Sequence, residues 1–137
     1  MRRIHEFEIR NMLRMACDAM ERSYMPKTGA FAGACLKGSS GAYYPGCSVE
    51  GKNGEFFCCA EGAALCRAVY EGERQFDALA IVSVSEKFEL PCDACRRALT
   101  EFDDGELPVI CADQNGSYRM FSLDELRRQS AAWGEDR

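Results

Sequence analysis

The chain has 137 residues, 47% of them hydrophobic and 28% charged, the make-up of a folded globular unit rather than a disordered or fibrous one. Its 17 Lys and Arg against 22 Asp and Glu leave a net charge of −5. No basic run exceeds two residues, a poor footing for nucleic acid or an anionic membrane, so one domain over 1–137 that handles a small molecule is the expected class.

The opening Met1-Arg2-Arg3-Ile4-His5-Glu6-Phe7-Glu8 mixes charge with apolar side chains instead of forming a signal-peptide core. With no apolar window of the roughly 18 residues that a bilayer demands, a cytoplasmic location is expected. Ile9, Met12, Leu13, Ala16, Cys17 and Met20 fall on one helical face, which predicts a helix from about Arg3 to Arg22. Pro26 and Gly29 end it. Ala30 to Leu36 is a strand of small residues where two backbones come close, and Ala42 to Val49 returns as a hairpin after a turn at Lys37 to Gly41. A loop with Gly51, Asn53 and Gly54 follows. The alanine-rich stretch from Cys59 predicts a tightly packed helix to near Gly72, and Phe76 to Val84 a strand covered on both faces. A helix from Pro91-Cys92 to Phe102 precedes strands at Leu107 to Ala112 and Ser117 to Phe121, joined by an Asp113-Gln114-Asn115-Gly116 turn. The capping box Ser122 to Glu125 opens a last helix that runs toward Trp133. Helices on both faces of a mixed sheet of about five strands follow from this order.

The nine cysteines, at 17, 35, 47, 58, 59, 66, 92, 95 and 111, are odd in number and mostly sit in apolar runs. That favours metal ligands plus small buried hydrophobes over a disulfide framework. Cys92-x-x-Cys95 at a helix start is by itself compatible with half a zinc site, a redox dithiol or coincidence. Cys59-Ala60-Glu61 opens the earlier helix, so Cys59 also sits where backbone N–H groups point outward. Three thiolates from two helix starts would leave one tetrahedral position of a zinc ion open, the mark of a catalytic site. Glu61 would face that position as acid and base rather than as ligand.

Cys-Ala-Glu at 59–61 followed by Pro91-Cys92-x-x-Cys95 closely resembles the small zinc cytidine deaminases and their blasticidin S deaminase relatives, over roughly residues 5 to 125. The resemblance implies a three-layer αβα sandwich with a mixed five-stranded sheet and a homo-oligomer, usually a tetramer. It also implies hydrolytic removal of an exocyclic amine as ammonia, converting cytidine or deoxycytidine to the uridine counterpart. Cys59, Cys92 and Cys95 would hold Zn2+, and Glu61 would shuttle the proton for zinc-bound hydroxide. The backbone around Ala60 and Pro91 would meet the base. Glu50 falls where the family's ribose-binding Glu lies, with Ser48 in place of the usual Asn, a hydroxyl where the family has separate amide donor and acceptor groups.

Other positions depart from that family. The aromatic residue that packs on the pyrimidine aligns with Ala30, with Phe31 next to it on the opposite strand face. The Arg that usually follows the catalytic Glu is Gly62, so Arg96 or Arg97 and the two helix starts are left to offset the thiolates. The terminal Leu-Leu-Pro and aromatic are replaced by Leu126-Arg127-Arg128-Gln129, with Trp133 a substitute. These changes admit two alternatives: a deaminase of a modified or non-ribosyl aminated heterocycle such as blasticidin S, and a non-catalytic zinc-stabilised ligand-binding domain. Cys58, Cys17, Cys35, Cys47, Cys66 and Cys111 are expected as packing residues, and His5 as a surface or helix-end residue.

Overall fold

A computed structural model describes residues 1–84 and 90–126. Helix α1 (Glu6–Glu21) buries Ile9, Met12, Ala16 and Ala19, the stripe that its apolar spacing requires. His5 lies just outside its start, its ring stacked on that of Phe7 at 5.7 Å. Strands β1 (Ala32–Gly38) and β2 (Tyr43–Cys47) form the expected hairpin, pairing Gly33 with Cys47 and Lys37 with Tyr43. Next come β3 (Val49–Glu50), β4 (Phe56–Cys58), α2 (Ala60–Tyr70), β5 (Phe76–Ser83), α3 (Asp93–Thr100), β6 (Pro108–Asp113) and β7 (Tyr118–Ser122).

The main sheet has the order β2-β1-β5-β6-β7, with β5 and β6 parallel and the other neighbours antiparallel. The β5–β6 crossover carries α3. Side chains on β5 alternate between two cores, because successive strand residues point to opposite faces. Ala78, Ala80 and Val82 join Cys35, Ile110 and the apolar stripe of α1. Leu79 and Ile81 join Ala34, Leu36, Val109 and Cys111 against Ala60, Ala64, Leu65 and Ala68 of α2 and Leu99 of α3. The result is the three-layer αβα sandwich that the order of elements implied.

Two strand glycines let the helices sit on the sheet. A Cβ at Gly33 would stand 2.0 Å from the Ala16 carbonyl oxygen, and one at Gly46 would stand 2.4 Å from both the Ala60 oxygen and the Ala64 nitrogen. Backbone thus packs on backbone on both faces, as the small-residue strand suggested. Gly46 also fixes the direction of α2: its start overlies the end of β2, and beyond its far end Glu73 meets Gly38 at the end of β1. The chain just past α3 places Phe102 edge-on to Phe76, the first residue of β5. Both α2 and α3 therefore begin at the end of the sheet where Ala32, Cys47 and Ser83 lie.

The structure adds and corrects details. The stretch read as a loop after Glu50 closes a second, two-stranded sheet of β3 and β4, with Val49 opposite Cys58. Two- and three-residue strands are too short to show a period. Cys66 is exposed instead of packed, because the buried side of α2 runs through 60, 61, 64, 65 and 68; Cys35 and Cys111 are buried as expected, and Cys17 and Cys47 are half-buried. The capping box forms reciprocally, Glu125 N–H to Ser122 Oγ at 3.1 Å and Ser122 N–H to Glu125 Oε1 at 3.0 Å. The expected continuation to Trp133 lies outside the described residues.

Overpacking a tight core contact costs about 1–3 kcal/mol. Gly46→Ala is expected to lower the unfolding free energy by that order, read as a lower urea midpoint at unchanged slope. An unchanged midpoint would show that α2 can lift from β2 without loss.

Candidate metal centre and active site

Helix starts leave N–H groups without intrahelical partners, and here sulfur accepts from them. Cys59 precedes α2 and its Sγ accepts the Gly62 N–H at 3.3 Å; Cys92 precedes α3 and its Sγ accepts the Cys95 N–H at 3.4 Å. The two capping sulfurs are 3.7 Å apart. Cys95, one turn into α3, is buried beside them. Glu61 in the first turn of α2 is only 6% exposed, and its Oε2 accepts the Cys92 N–H at 2.9 Å. The carboxylate thus reaches from one helix to the start of the other. The ligand atoms of Cys59, Glu61, Cys92 and Cys95 all lie within 4.8 Å of one another.

The thiols share their charge unevenly. Cys59 is brought down to about 6, first by the hydrogen bond from the Cys95 thiol and then, against burial, by the Gly62 N–H and the Cys92 thiol. Cys95 is pushed far up by the hydrogen bond it gives Cys59 and by burial; Cys92 is raised mainly by burial. One sulfur is the natural anion of the cluster, and a divalent cation would draw the protons from the other two.

This donor set fits zinc. Two thiolates bound tetrahedrally at about 2.3 Å stand roughly 3.8 Å apart, close to the spacing of Cys59 and Cys92. Cys58 stays outside the set, its thiol donating to the Cys59 carbonyl at 3.2 Å. A Cβ on Gly62 would lie 3.0 Å from Cys59 Sγ and 3.2 Å from Cys95 Sγ, so this glycine faces the sulfurs directly. Of the two candidate compensating cations, Arg96 is buried and paired with Asp93, while the Arg97 side chain is 70% exposed and pairs with Asp93 at 3.1 Å. The spacing alone left that order open.

Ala60 and Pro91, which flank Glu61 and Cys92, are both buried. Ser48 is buried too, its Oγ accepting the Ala32 N–H at 3.1 Å while its own N–H donates to the Ala32 oxygen. Glu50 is 2% exposed: Oε1 accepts the Lys27 and Thr28 N–H groups at 2.7 Å and Oε2 the Thr28 hydroxyl at 3.0 Å. Those bonds, led by the Thr28 N–H, hold its carboxyl below the usual range. Ala30 and Phe31 are exposed on the approach to β1. Sequence reading missed the 27–28 turn as the partner of Glu50, since nothing in Lys27-Thr28 marks it. It also passed over Ser83, a buried serine that closes an apolar run.

The cytidine and deoxycytidylate deaminase zinc-binding region matches residues 7–111 of the chain. A cytidine deaminase of Sporosarcina psychrophila is 34% identical over 119 residues, covering 87% of this chain and 88% of that protein. One of Mycoplasma genitalium is 31% identical over 108 residues, 78% of this chain and 82% of that one. The crystal structure of cytidine deaminase from Burkholderia pseudomallei superposes with a TM-score of 0.79 at 31% identity, over 85% of this chain and 94% of that one. The corresponding enzyme of Mycobacterium tuberculosis gives 0.73 at 26%, over 90% and 94%. A buried carboxylate set among three helix-start thiols, on a fold shared with these proteins, places the chain in the cytidine and deoxycytidylate deaminase zinc-binding family.

Proposed function

We propose that the chain is a zinc-dependent hydrolase that converts cytidine or deoxycytidine to the uridine counterpart and ammonia. The observation that carries this is the Glu61 carboxylate, buried and turned toward Cys59, Cys92 and Cys95 instead of toward solvent. Zinc held by these three cysteines supplies a Lewis acid that makes water nucleophilic near neutral pH. Glu61, fixed at Oε2 by the Cys92 N–H, takes the two protons of the attacking water in turn and delivers one to the ring nitrogen and the other to the departing amine. Water is consumed, the C–N bond breaks and ammonia leaves, so atoms balance without a redox partner. The curated relatives, named cytidine deaminases, support this reading over a modified heterocycle and over a non-catalytic domain.

The remaining residues follow as parts of the same reading. The backbone at Ala60 and Pro91 borders the base. Glu50 spends three of its roughly four acceptor positions on the 27–28 turn and keeps one for a sugar hydroxyl, while Ser48 shapes that wall through Ala32. Arg96 offsets part of the sulfur charge; Arg97 serves the solvated face. Exposed Phe56 and Phe57 on β4, next to the site, support a homo-oligomer, a tetramer by the family resemblance. The whole chain is read as one domain. Nine free thiols suit the reducing cytoplasm, and no described helix is long and apolar enough to cross a membrane.

Three measurements test these assignments. Cys92→Ala should take bound zinc from about one per chain to near none and lower Tm by several degrees per kcal/mol of metal-linked stability lost; retained zinc would refute the ligand set. Glu61→Gln should keep zinc yet lose roughly 100- to 10,000-fold in kcat, followed by ammonia release; full turnover would remove Glu61 from the chemistry. The Glu50 carboxylate has a folded pKa below its usual value, so its contribution to stability is present above about 4.5 and fades as pH falls through the folded value. The Tm difference between wild type and Glu50→Gln should therefore narrow on acidification below that point. A difference independent of pH would show that the carboxylate charge is not what the turn binds.

A further inference from the structure

Among the described residues, two buried side-chain polar atoms have no hydrogen-bond partner: Ser83 Oγ and Arg96 Nε. The Arg96 Nε belongs to a guanidinium that is already paired with Asp93. Ser83 has no such explanation. It ends β5 and is 3% exposed. By strand alternation it shares the face of Leu79 and Ile81, the one covered by α2 and α3, and both helices begin at its end of the sheet.

Its neighbours in the sheet do not satisfy it. On β1 its register partner is Ala32, whose N–H and carbonyl are both taken by Ser48. On β6 it is level with Asp113, whose Oδ1 already accepts the Asn115 and Ser117 N–H groups of its own turn. Of the two serines at this end, Ser48 is committed to backbone and Ser83 is left open. A buried hydroxyl without a partner costs about 1–3 kcal/mol, and alanine, common along this strand, would remove that cost.

We infer that Ser83 is a specificity-determining residue, its hydroxyl donating to a ring acceptor of the bound aminated heterocycle, a carbonyl oxygen or a ring nitrogen, at the end of the sheet where α2 and α3 begin. The inference rests on the deaminase reading and goes beyond it. A heterocycle with an acceptor there regains the missing hydrogen bond, whereas one with a C–H edge leaves the hydroxyl buried and unpaired. A site built to hydrogen-bond its substrate discriminates in this way far better than an apolar one.

The test compares steady-state ammonia release from cytidine and deoxycytidine by wild type, Ser83→Ala and Ser83→Thr as zinc-loaded full chains, with zinc content and Tm measured in parallel. Ser83→Ala should raise KM about ten-fold, keep kcat within about two-fold, retain zinc, and leave Tm unchanged or higher. Ser83→Thr, which keeps the hydroxyl, should restore most of the lost affinity. An active wild type whose Ser83→Ala form has the same KM overturns the assignment of Ser83 alone, as does a lower Tm with unchanged KM. A wild type that releases ammonia from neither nucleoside overturns the deaminase reading, and this inference with it.

Discussion

The site depends on how the first turns of two helices are capped. An N-cap is ordinarily an oxygen of Ser, Thr, Asp or Asn that accepts a backbone N–H. In α2 and α3 the acceptor is a cysteine sulfur, so the atom that ends the helix is also the atom offered to a cation. Helix formation and assembly of the thiol set become one event. Whatever fixes the relative position of the two helix starts fixes the metal geometry, and a cation bound there stabilises both helices. The Glu61 bond to the Cys92 N–H draws that carboxylate into the same arrangement, since it satisfies a donor at the start of α3 from the first turn of α2.

That positioning comes from small residues that carry no reactive group of their own. Gly46 under Ala60 and Ala64 brings α2 down to backbone contact, and Ala68 continues the same flat face. A helix held so close cannot slide or roll by a side chain's width, which is the tolerance a carboxylate must keep to meet three sulfurs. On the other face Gly33 does the same for α1. The alanine-rich composition of α2, easily taken for mere helix propensity, is a requirement of the distance between layers.

Much of this was legible from the sequence because each feature has a period or a fixed spacing. The stripe of α1, the apolar run of β5 and the capping box at Ser122 announce themselves. The Cys59, Glu61, Cys92 and Cys95 set is marked by helix-start placement as well as by residue type. What escaped has no such signature. The short β3–β4 ladder is too brief for alternation, and the exposure of Cys66 depends on which side of α2 meets the sheet. Glu50 could be marked as important, but its partners in the 27–28 turn lie some twenty residues away along the chain. Ser83 is defined by the hydrogen bond that its neighbours do not make, and only three-dimensional packing reveals that. The order of Arg96 and Arg97 likewise turns on a rotation of α3 that two adjacent like residues cannot encode.

The electrostatics explain how the site can do without a cation at position 62. Three thiolates and a zinc ion sum to −1, and more negative charge makes bound water less acidic. The start of each helix carries roughly +0.5 of an elementary charge, and both starts face the same sulfurs, together about the missing unit. Arg96 adds less than a free cation would, because Asp93 takes up part of its charge. Gly62 meanwhile gives the sulfurs its own N–H and sets no side chain between them and the helix start. An arginine at that position would place a mobile cation over the cluster; the glycine leaves fixed backbone dipoles, which need not reorganise as charge develops. With zinc on the three sulfurs, a glycine at position 62 would thus leave charge compensation to the two helix starts instead of to a side chain.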